Sequence, residues 1–418
     1  MKPNNDLYAQ VDGEGRLVLP PELAFRYRIK PGVRVRVHEG TNGLHVCRPT
    51  RLAKLYIEPT NQCNLDCLQC IRNVWNEPLG KMSDAVFNCI IEGLRAFSPP
   101  PTVLFGGFGE PLSHPRIVEM VARTKALGAS VEIVTNATLL TKDLSQELIT
   151  AGIDVLWVSL DGATPESYAD IRLGAMLPQV IENVTRFRNA LYVNGGAGCC
   201  GLIPSFKTQL GIAFVAMKRN IADLPAVLNL GRQLGANHFL VTNVLPYTDE
   251  MRSEVLYYRT LCDTGYTRVC LPRIDMDETT RDALYAAMHS MSVTWAGSNP
   301  GSAQDSCPFI ESGAGAIGWD GSLSPCLPLL HSHVSFAIDR ERFSRRWTIG
   351  NVTEHNLSDL WNSPEHIAFR ERVQAFDFPP CTTCGGCDLS EKNEEDCFSD
   401  VFPTCGGCLW AQGVIKCP

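Results

Sequence analysis

The chain predicts an α/β protein built on a partial (βα)6 barrel of the TIM type, preceded by a small β-rich domain and followed by a cysteine-rich domain. Three observations carry that prediction. From Leu55 onward, short apolar runs alternate six times with amphipathic helical patterns. Before them, a basic segment repeats with the two-residue period of a half-buried strand. After them, nine of the 18 cysteines lie between Cys307 and the end of the 418-residue chain.

Strands are expected near 54–59, 102–107, 131–135, 154–160, 208–216 and 237–244. Ser83 caps a helix that puts Val86, Phe87, Ile90, Ile91 and Leu94 on one face. Ile117, Val118 and Val121 mark a second helix closed by Gly128. Leu144, Leu148 and Ile149 mark a third, from Thr141 to near Gly152. Short connections between alternating units imply parallel strands with right-handed crossovers. Six units suit a partial barrel better than a closed one of eight, and loops that carry chemistry belong at the carboxyl ends of the strands.

Composition narrows the function. Hydrophobic residues make up 44% and charged residues 20%, as in ordinary globular proteins. The polar start Met-Lys-Pro-Asn-Asn-Asp has no apolar core, and no run reaches membrane-span length, which predicts a cytoplasmic protein without a membrane partner. In that compartment 18 cysteines point to metal ligation rather than disulfides. A net charge of -8 gives no global attraction to nucleic acid.

The first strand runs straight into Cys63, Cys67 and Cys70, spaced C-x3-C-x2-C. Three thiolates can each take one iron of a 4Fe-4S cluster and leave the fourth iron open, and no fourth Cys or His follows closely as structural zinc would require. This loop resembles the signature of the radical S-adenosylmethionine (SAM) enzymes, although Gln69 stands where that family usually has an aromatic residue. The resemblance implies that the open iron holds SAM and that its reductive cleavage gives a 5'-deoxyadenosyl radical. It also implies that Gly106, Gly107, Phe108, Gly109 and Glu110 after the second strand meet the methionyl amino group. Glycines would let the backbone approach the cofactor. Thr135 and Asn136, then Ser159 and Asp161, end the third and fourth strands and become SAM contacts, the latter pair at the ribose. Arg172 is assigned to the SAM carboxylate. Helix capping and turn formation are the alternatives for Thr135 and Asp161. No residue stands out as a general base.

Residues 1–50 carry alternating Val33, Val35 and Val37 among Arg34, Arg36 and His38, with turns at Asp12-Gly13 and Pro31-Gly32. The Gly15-to-Pro20 pattern resembles the swapped-hairpin domains of the AbrB/MazE/SpoVT family, which implies a homodimer and a DNA-binding surface of Arg16, Arg26, Arg28, Lys30, Arg34 and Arg36. Acidic Asp12, Glu14, Glu22 and Glu39 dilute that surface, so a docking role is preferred to DNA. The radical SAM core is expected over 51–250, a linker over 251–306 and the cysteine-rich domain over 307–418. The glycine-rich stretch Asn194 to Gly201 reads as a loop in which Cys199 and Cys200 are incidental. Cys47 and Cys89 read as packing, and Cys262 and Cys270 have no assigned place.

Cys307, then Gly321-x4-Cys326 after a Trp319-Asp320-Gly321 turn, resembles the opening of a SPASM domain. Cys381, Cys384, Cys387, Cys397, Cys405, Cys408 and Cys417 follow, in a spacing that departs from the family pattern. The resemblance implies two auxiliary 4Fe-4S clusters, while zinc on the two Cys-Gly-Gly-Cys pairs stays open. The head, core and tail together resemble radical SAM maturases of tungsten-cofactor oxidoreductases, most particularly from Asn393 to Pro418 and at Leu245-Pro246-Tyr247. That implies a partner of the aldehyde ferredoxin oxidoreductase type, or its cofactor, and an electron donor such as ferredoxin or flavodoxin. A SPASM-type peptide maturase and a cluster-bearing DNA-binding regulator are the alternatives.

Overall fold

The computed structural model describes residues 9–26, 36–40, 43–47, 51–194, 208–257, 274–275, 277–288, 293–295, 307–337, 340–382 and 387–418. The chain divides into two compact units, Met1–Arg51 and Leu52–Pro418. In the first, Gln10–Val11 pairs antiparallel with Leu17–Val18, and Arg36–Gly40 pairs with Gly43–Cys47. The Asp12-Gly13 turn is present: the Asp12 carboxylate accepts from the amides of Glu14 at 2.9 Å and Arg16 at 2.8 Å, and Gly15 takes φ +78°. Arg28, Lys30, Pro31, Gly32, Val33, Arg34 and Val35 lie outside the described residues, as do the side chains of Arg26, Arg36 and Cys47.

In the second unit the six expected strands are β1 (Lys54–Ile57), β2 (Thr102–Phe105), β3 (Val131–Thr135), β4 (Val155–Ser159), β5 (Gln209–Ala216) and β6 (His238–Asn243). The pattern did not announce the strands that extend the sheet. These are β7 (Val293–Trp295) beside β6, β8 (Ala314–Ile317) beside β1, then β9 (Ser322–Ser324) and β12 (Gly350–Asn351) beyond it. From β7 to β1 each strand neighbours the next in sequence, all in parallel. A doubly wound sheet would reverse its order within the run of βα units; from β1 to β7 this one does not, which is the order of an open barrel. Because β8 is parallel to β1, the tail continues the core sheet. The hairpin of β10 (His333–Ala337) and β11 (Arg340–Ser344) stands apart from it.

The caps read from sequence are present: Ser83 and Thr141 accept from the Val86 and Leu144 amides at 3.3 and 3.2 Å, and Gly152 closes its helix at φ +89°. Strand alternation sends Leu55 and Ile57 against the helices, with Phe87, Ile90 and Leu94. Tyr56 and Leu104 point the other way, into a cluster with Phe309, Trp410 and Val414. The chain terminus lies across this second face. Tyr56 Oη donates to the Pro418 carbonyl at 2.8 Å, and Asn243 Nδ2 donates to that of Val414 at 2.9 Å. In a flat sheet β1 and β6 would stand about 24 Å apart, five steps of roughly 4.8 Å. The four residue steps from Val414 to Pro418 reach at most about 14 Å. The sheet therefore curls, and the tail closes over its inside. Among the described residues no helix is long and apolar enough to cross a membrane.

Candidate active site and cluster sites

The cysteine loop leaves β1 at its carboxyl end, where the barrel argument puts it. The Cys70 amide donates to the Cys67 carbonyl at 3.0 Å, which folds Cys67 and Cys70 into one turn after Cys63. Their surroundings supply charge and donors to the sulfurs. Asn136 Nδ2 lies 3.8 Å from Cys63 Sγ. Arg72 hydrogen-bonds Cys70, and the Arg172 guanidinium faces Cys67 and Cys70. Burial nevertheless dominates and raises all three thiols, Cys67 to about 11, so they ionise on taking a metal rather than before.

The predicted cofactor residues gather around this loop. Glu110 is buried and uses its carboxylate to join two strand ends. Oε1 accepts from the Leu112 amide at 2.9 Å and Thr135 Oγ1 at 2.7 Å, and Oε2 from the Asn136 amide at 2.8 Å. Burial raises its pKa; these donors oppose the rise. Thr135 and Asn136 are thus held beside Cys63. Asp161 has no exposed surface, accepting from the Val215 amide at 2.8 Å on one oxygen and from Gln69 Nε2 at 2.9 Å and Arg172 Nη2 at 2.6 Å on the other. Burial would lower the Arg172 guanidinium, but Asp161 and Cys67 outweigh it and hold it above its ordinary value. Gln69, the residue that departs from the family pattern, is therefore a brace between the cluster loop and β4. Ser159 stands half-buried at the end of β4.

The glycines of the Gly106-to-Glu110 run answer to a nearer neighbour than a cofactor. Gly107 has φ +125°, and a Cβ there would meet Glu58 Oε1 at 2.8 Å. At Gly109 it would fall on the Thr60 carbonyl. These positions let the β2 loop lie against the β1 loop that bears the cysteines.

Sequence reasoning missed the group next to them. Glu58 is buried at the mouth of β1, accepts from the Phe108 amide at 2.9 Å and pairs with His331 Nε2 at 2.8 Å. His331 Nδ1 meets Glu77, while Trp75 and Phe108 lie edge-on to the ring at 4.5 and 5.5 Å between centroids. Burial would lower His331, but the two carboxylates raise it to about 9. The lone sequence signal was Glu58 itself, on the inward register of Tyr56.

In the tail, Cys307, Cys326, Cys405 and Cys408 line one cavity with Phe309, Leu329, His333, Arg342, Phe369 and Trp410. Burial raises all four thiols, Cys307 to about 12. Among the described residues no three His, Cys, Asp or Glu side chains are drawn together as ligands of one ion. Four thiols around a cavity suit a cluster, in which each thiolate meets its own iron, better than zinc, which draws its ligands to one centre. The Trp319-Asp320-Gly321 turn joins β8 to β9 as expected, with Gly321 at φ +85°. Cys381 is half-buried, Cys387 and Cys397 are exposed, and Cys384 lies outside the described residues. Cys417 does not line the cavity but is hydrogen-bonded by Trp410, which does; burial raises its thiol to about 11, and it lies near Tyr56 and Tyr247. Tyr247 in turn meets His333 edge-on at 5.7 Å. Cys89 is half-buried on its helix; Cys199, Cys200, Cys262 and Cys270 lie outside the described residues.

This loop, strand order and thiol-lined tail are those of a radical SAM protein, and the family comparisons agree. Residues 57–209 match the radical SAM superfamily and residues 307–388 match SPASM, an iron-sulfur cluster-binding domain. The chain is a radical SAM enzyme with a SPASM domain, whose cofactors are SAM and a 4Fe-4S cluster, and it is equipped for auxiliary iron-sulfur centres. It is 29% identical to the tungsten-containing aldehyde ferredoxin oxidoreductase cofactor-modifying protein of Pyrococcus furiosus, over 87% of this chain and 96% of that one. Among solved structures it shares its fold with anSMEcpe with bound AdoMet (TM-score 0.56, 16% identity, 86% of this chain and 92% of that chain). It also shares the fold of Streptococcus suis SuiB bound to precursor peptide SuiA (TM-score 0.50, 16% identity, 84% of this chain and 72% of that chain).

Proposed function

We propose that the chain matures a tungsten-cofactor oxidoreductase of the aldehyde ferredoxin oxidoreductase type, acting on its cofactor or its polypeptide. The observation that carries this reading is the end-to-end match to the Pyrococcus furiosus protein, across 96% of that protein's length. It takes in the core and the tail, where a shared SAM-cleaving core alone would give a partial match.

In this reading Cys63, Cys67 and Cys70 hold the 4Fe-4S cluster, which with bound SAM supplies reductive cleavage to a 5'-deoxyadenosyl radical. The chain's own residues hold the reactants and exclude water. Glu110 fixes Thr135 and Asn136 at the rim; Asp161 fixes Arg172 and Gln69 beside Cys67. Gly106, Gly107, Phe108 and Gly109 complete the SAM-facing edge with Ser159. Cys307, Cys326, Cys405 and Cys408 hold an auxiliary cluster, Cys381, Cys384, Cys387 and Cys397 are candidates for a second, and Cys417 is left to the barrel interior. A ferredoxin or flavodoxin supplies electrons.

The test is to produce a tungsten aldehyde oxidoreductase with the wild-type chain, and with a Cys63→Ala, Cys67→Ala, Cys70→Ala variant, in a host lacking any other copy. The reading expects active oxidoreductase and a mass change in its cofactor or polypeptide only with the wild type. Equal activity in both would overturn it. The likeness to SuiB with its peptide keeps peptide maturation as the second reading; it predicts a mass change in a co-produced precursor peptide instead.

A further inference from the structure

Arg342 is a half-buried cation in the thiol-lined cavity of the tail, without a carboxylate partner among the described residues. It lies on β11, where Arg340, Arg342 and Ser344 share the inward register while Glu341 and Phe343 are exposed. Its guanidinium lines the cavity with Cys307, Cys326, Cys405 and Cys408. It rests on the loop between Cys405 and Cys408: a Cβ on Gly407 would fall on the guanidinium itself, so the head group lies directly against that loop. Nη1 donates to the Ser390 carbonyl at 2.5 Å, which fixes the head group. Among the described residues Arg342 takes part in no ion pair. A partly desolvated cation that lines a cavity with four thiols, and has no carboxylate partner among the described residues, suits the negative charge those thiols would carry as cluster ligands.

We propose that Arg342 is the fixed positive charge that sets the reduction potential of an auxiliary cluster held by Cys307, Cys326, Cys405 and Cys408. The inference rests on reading that cavity as a cluster site. A cluster ligated by four thiolates is anionic and becomes more so when it gains an electron. A fixed cation beside it therefore stabilises the reduced state more than the oxidised one and raises the potential; charge and hydrogen bonds near the sulfurs are known levers on such clusters. Arg342 is a positioning residue in this sense, acting through the cluster and not on substrate.

The experiment uses the full chain, reconstituted anaerobically, as wild type, Arg342→Lys and Arg342→Gln. Each is titrated potentiometrically with the reduced clusters followed by electron paramagnetic resonance, and the Cys63, Cys67, Cys70 cluster serves as internal reference. In Arg342→Gln the auxiliary potential should fall by about 60 mV, a tenfold change in a one-electron equilibrium. Arg342→Lys, which keeps the charge, should recover most of that shift, and the reference cluster should not move. An unchanged auxiliary potential in Arg342→Gln, or an equal shift of both clusters, would overturn the proposal. If Arg342→Gln does not assemble the cluster, Arg342→Lys decides: a near-native potential supports the charge role, and loss in both makes Arg342 only a brace of the loop. Iron content of a Cys307→Ala, Cys326→Ala, Cys405→Ala, Cys408→Ala variant separates this from the underlying reading. If that variant loses no iron, the cavity holds no cluster and both fall together.

Discussion

The two cysteine sites are built in opposite ways. At the barrel mouth, Cys63, Cys67 and Cys70 come from eight consecutive residues and are surrounded by polar groups: Asn136, Arg72, Arg172 and, one step out, Asp161 and Glu110. In the tail, four thiols come from segments up to 101 residues apart, Cys307 to Cys408, and meet in a largely apolar cavity with one guanidinium. A local loop can keep an iron open to a ligand because its polar rim faces the barrel mouth. A site assembled from distant segments is closed on all sides by the packing that gathers it, which suits electron transfer rather than substrate binding.

The comparison breaks most visibly at the first site. The Cys63→Ala, Cys67→Ala, Cys70→Ala variant should form no 5'-deoxyadenosine from SAM under reducing conditions, read by mass spectrometry against wild type. At the second site, the Cys307→Ala, Cys326→Ala, Cys405→Ala, Cys408→Ala variant should cost about four irons per chain, one cluster complement, while Cys417→Ala should keep the wild-type iron content. Between them lies the polar rim. Asp161→Asn leaves the Arg172 guanidinium buried without its carboxylate and should cost roughly 3 kcal/mol in denaturant unfolding, whereas a surface pair such as Arg95–Glu92 should cost less than about 1 kcal/mol.

The smallest effect is a pH dependence at the group that joins core to tail. His331 is raised from its ordinary 6.5 to about 9 by Glu58 and Glu77, against its burial. A raised folded value means the stabilisation is full below pH 6.5 and is lost as pH rises through 9. The shift corresponds to about 3 kcal/mol at most. Unfolding midpoints of wild type should fall over that window, and those of His331→Gln should fall less. A parallel fall in both would remove His331 as the cause.

What the sequence made legible follows the same division. All six barrel strands stand within two residues of their expected places, because strand and helix periods, Ser83, Thr141 and Gly152 are local signals. The cysteine loop was legible for the same reason. Strands β7 and β8 were not: three or four residues, Val-Thr-Trp and Ala-Gly-Ala-Ile, carry too little pattern, and only pairing with β6 and β1 makes them strands. The Glu58–His331–Glu77 group and the Arg342 site were hidden because their members lie far apart in sequence, 273 residues between Glu58 and His331. Gly107 and Gly109, read from sequence toward a cofactor, also lie where a Cβ would meet Glu58 and the Thr60 carbonyl, a contact the sequence did not announce. Periodicity reports on an element's own face; it carries nothing about which distant side chain will come to lie there.

The claim that these are two independent cluster sites is tested most directly by iron analysis and electron paramagnetic resonance of the reconstituted Cys63→Ala, Cys67→Ala, Cys70→Ala variant. The account predicts that it keeps at least about four irons and the signal of a fully thiolate-ligated cluster, while forming no 5'-deoxyadenosine. A folded variant that binds no iron, or one that still cleaves SAM, would contradict it.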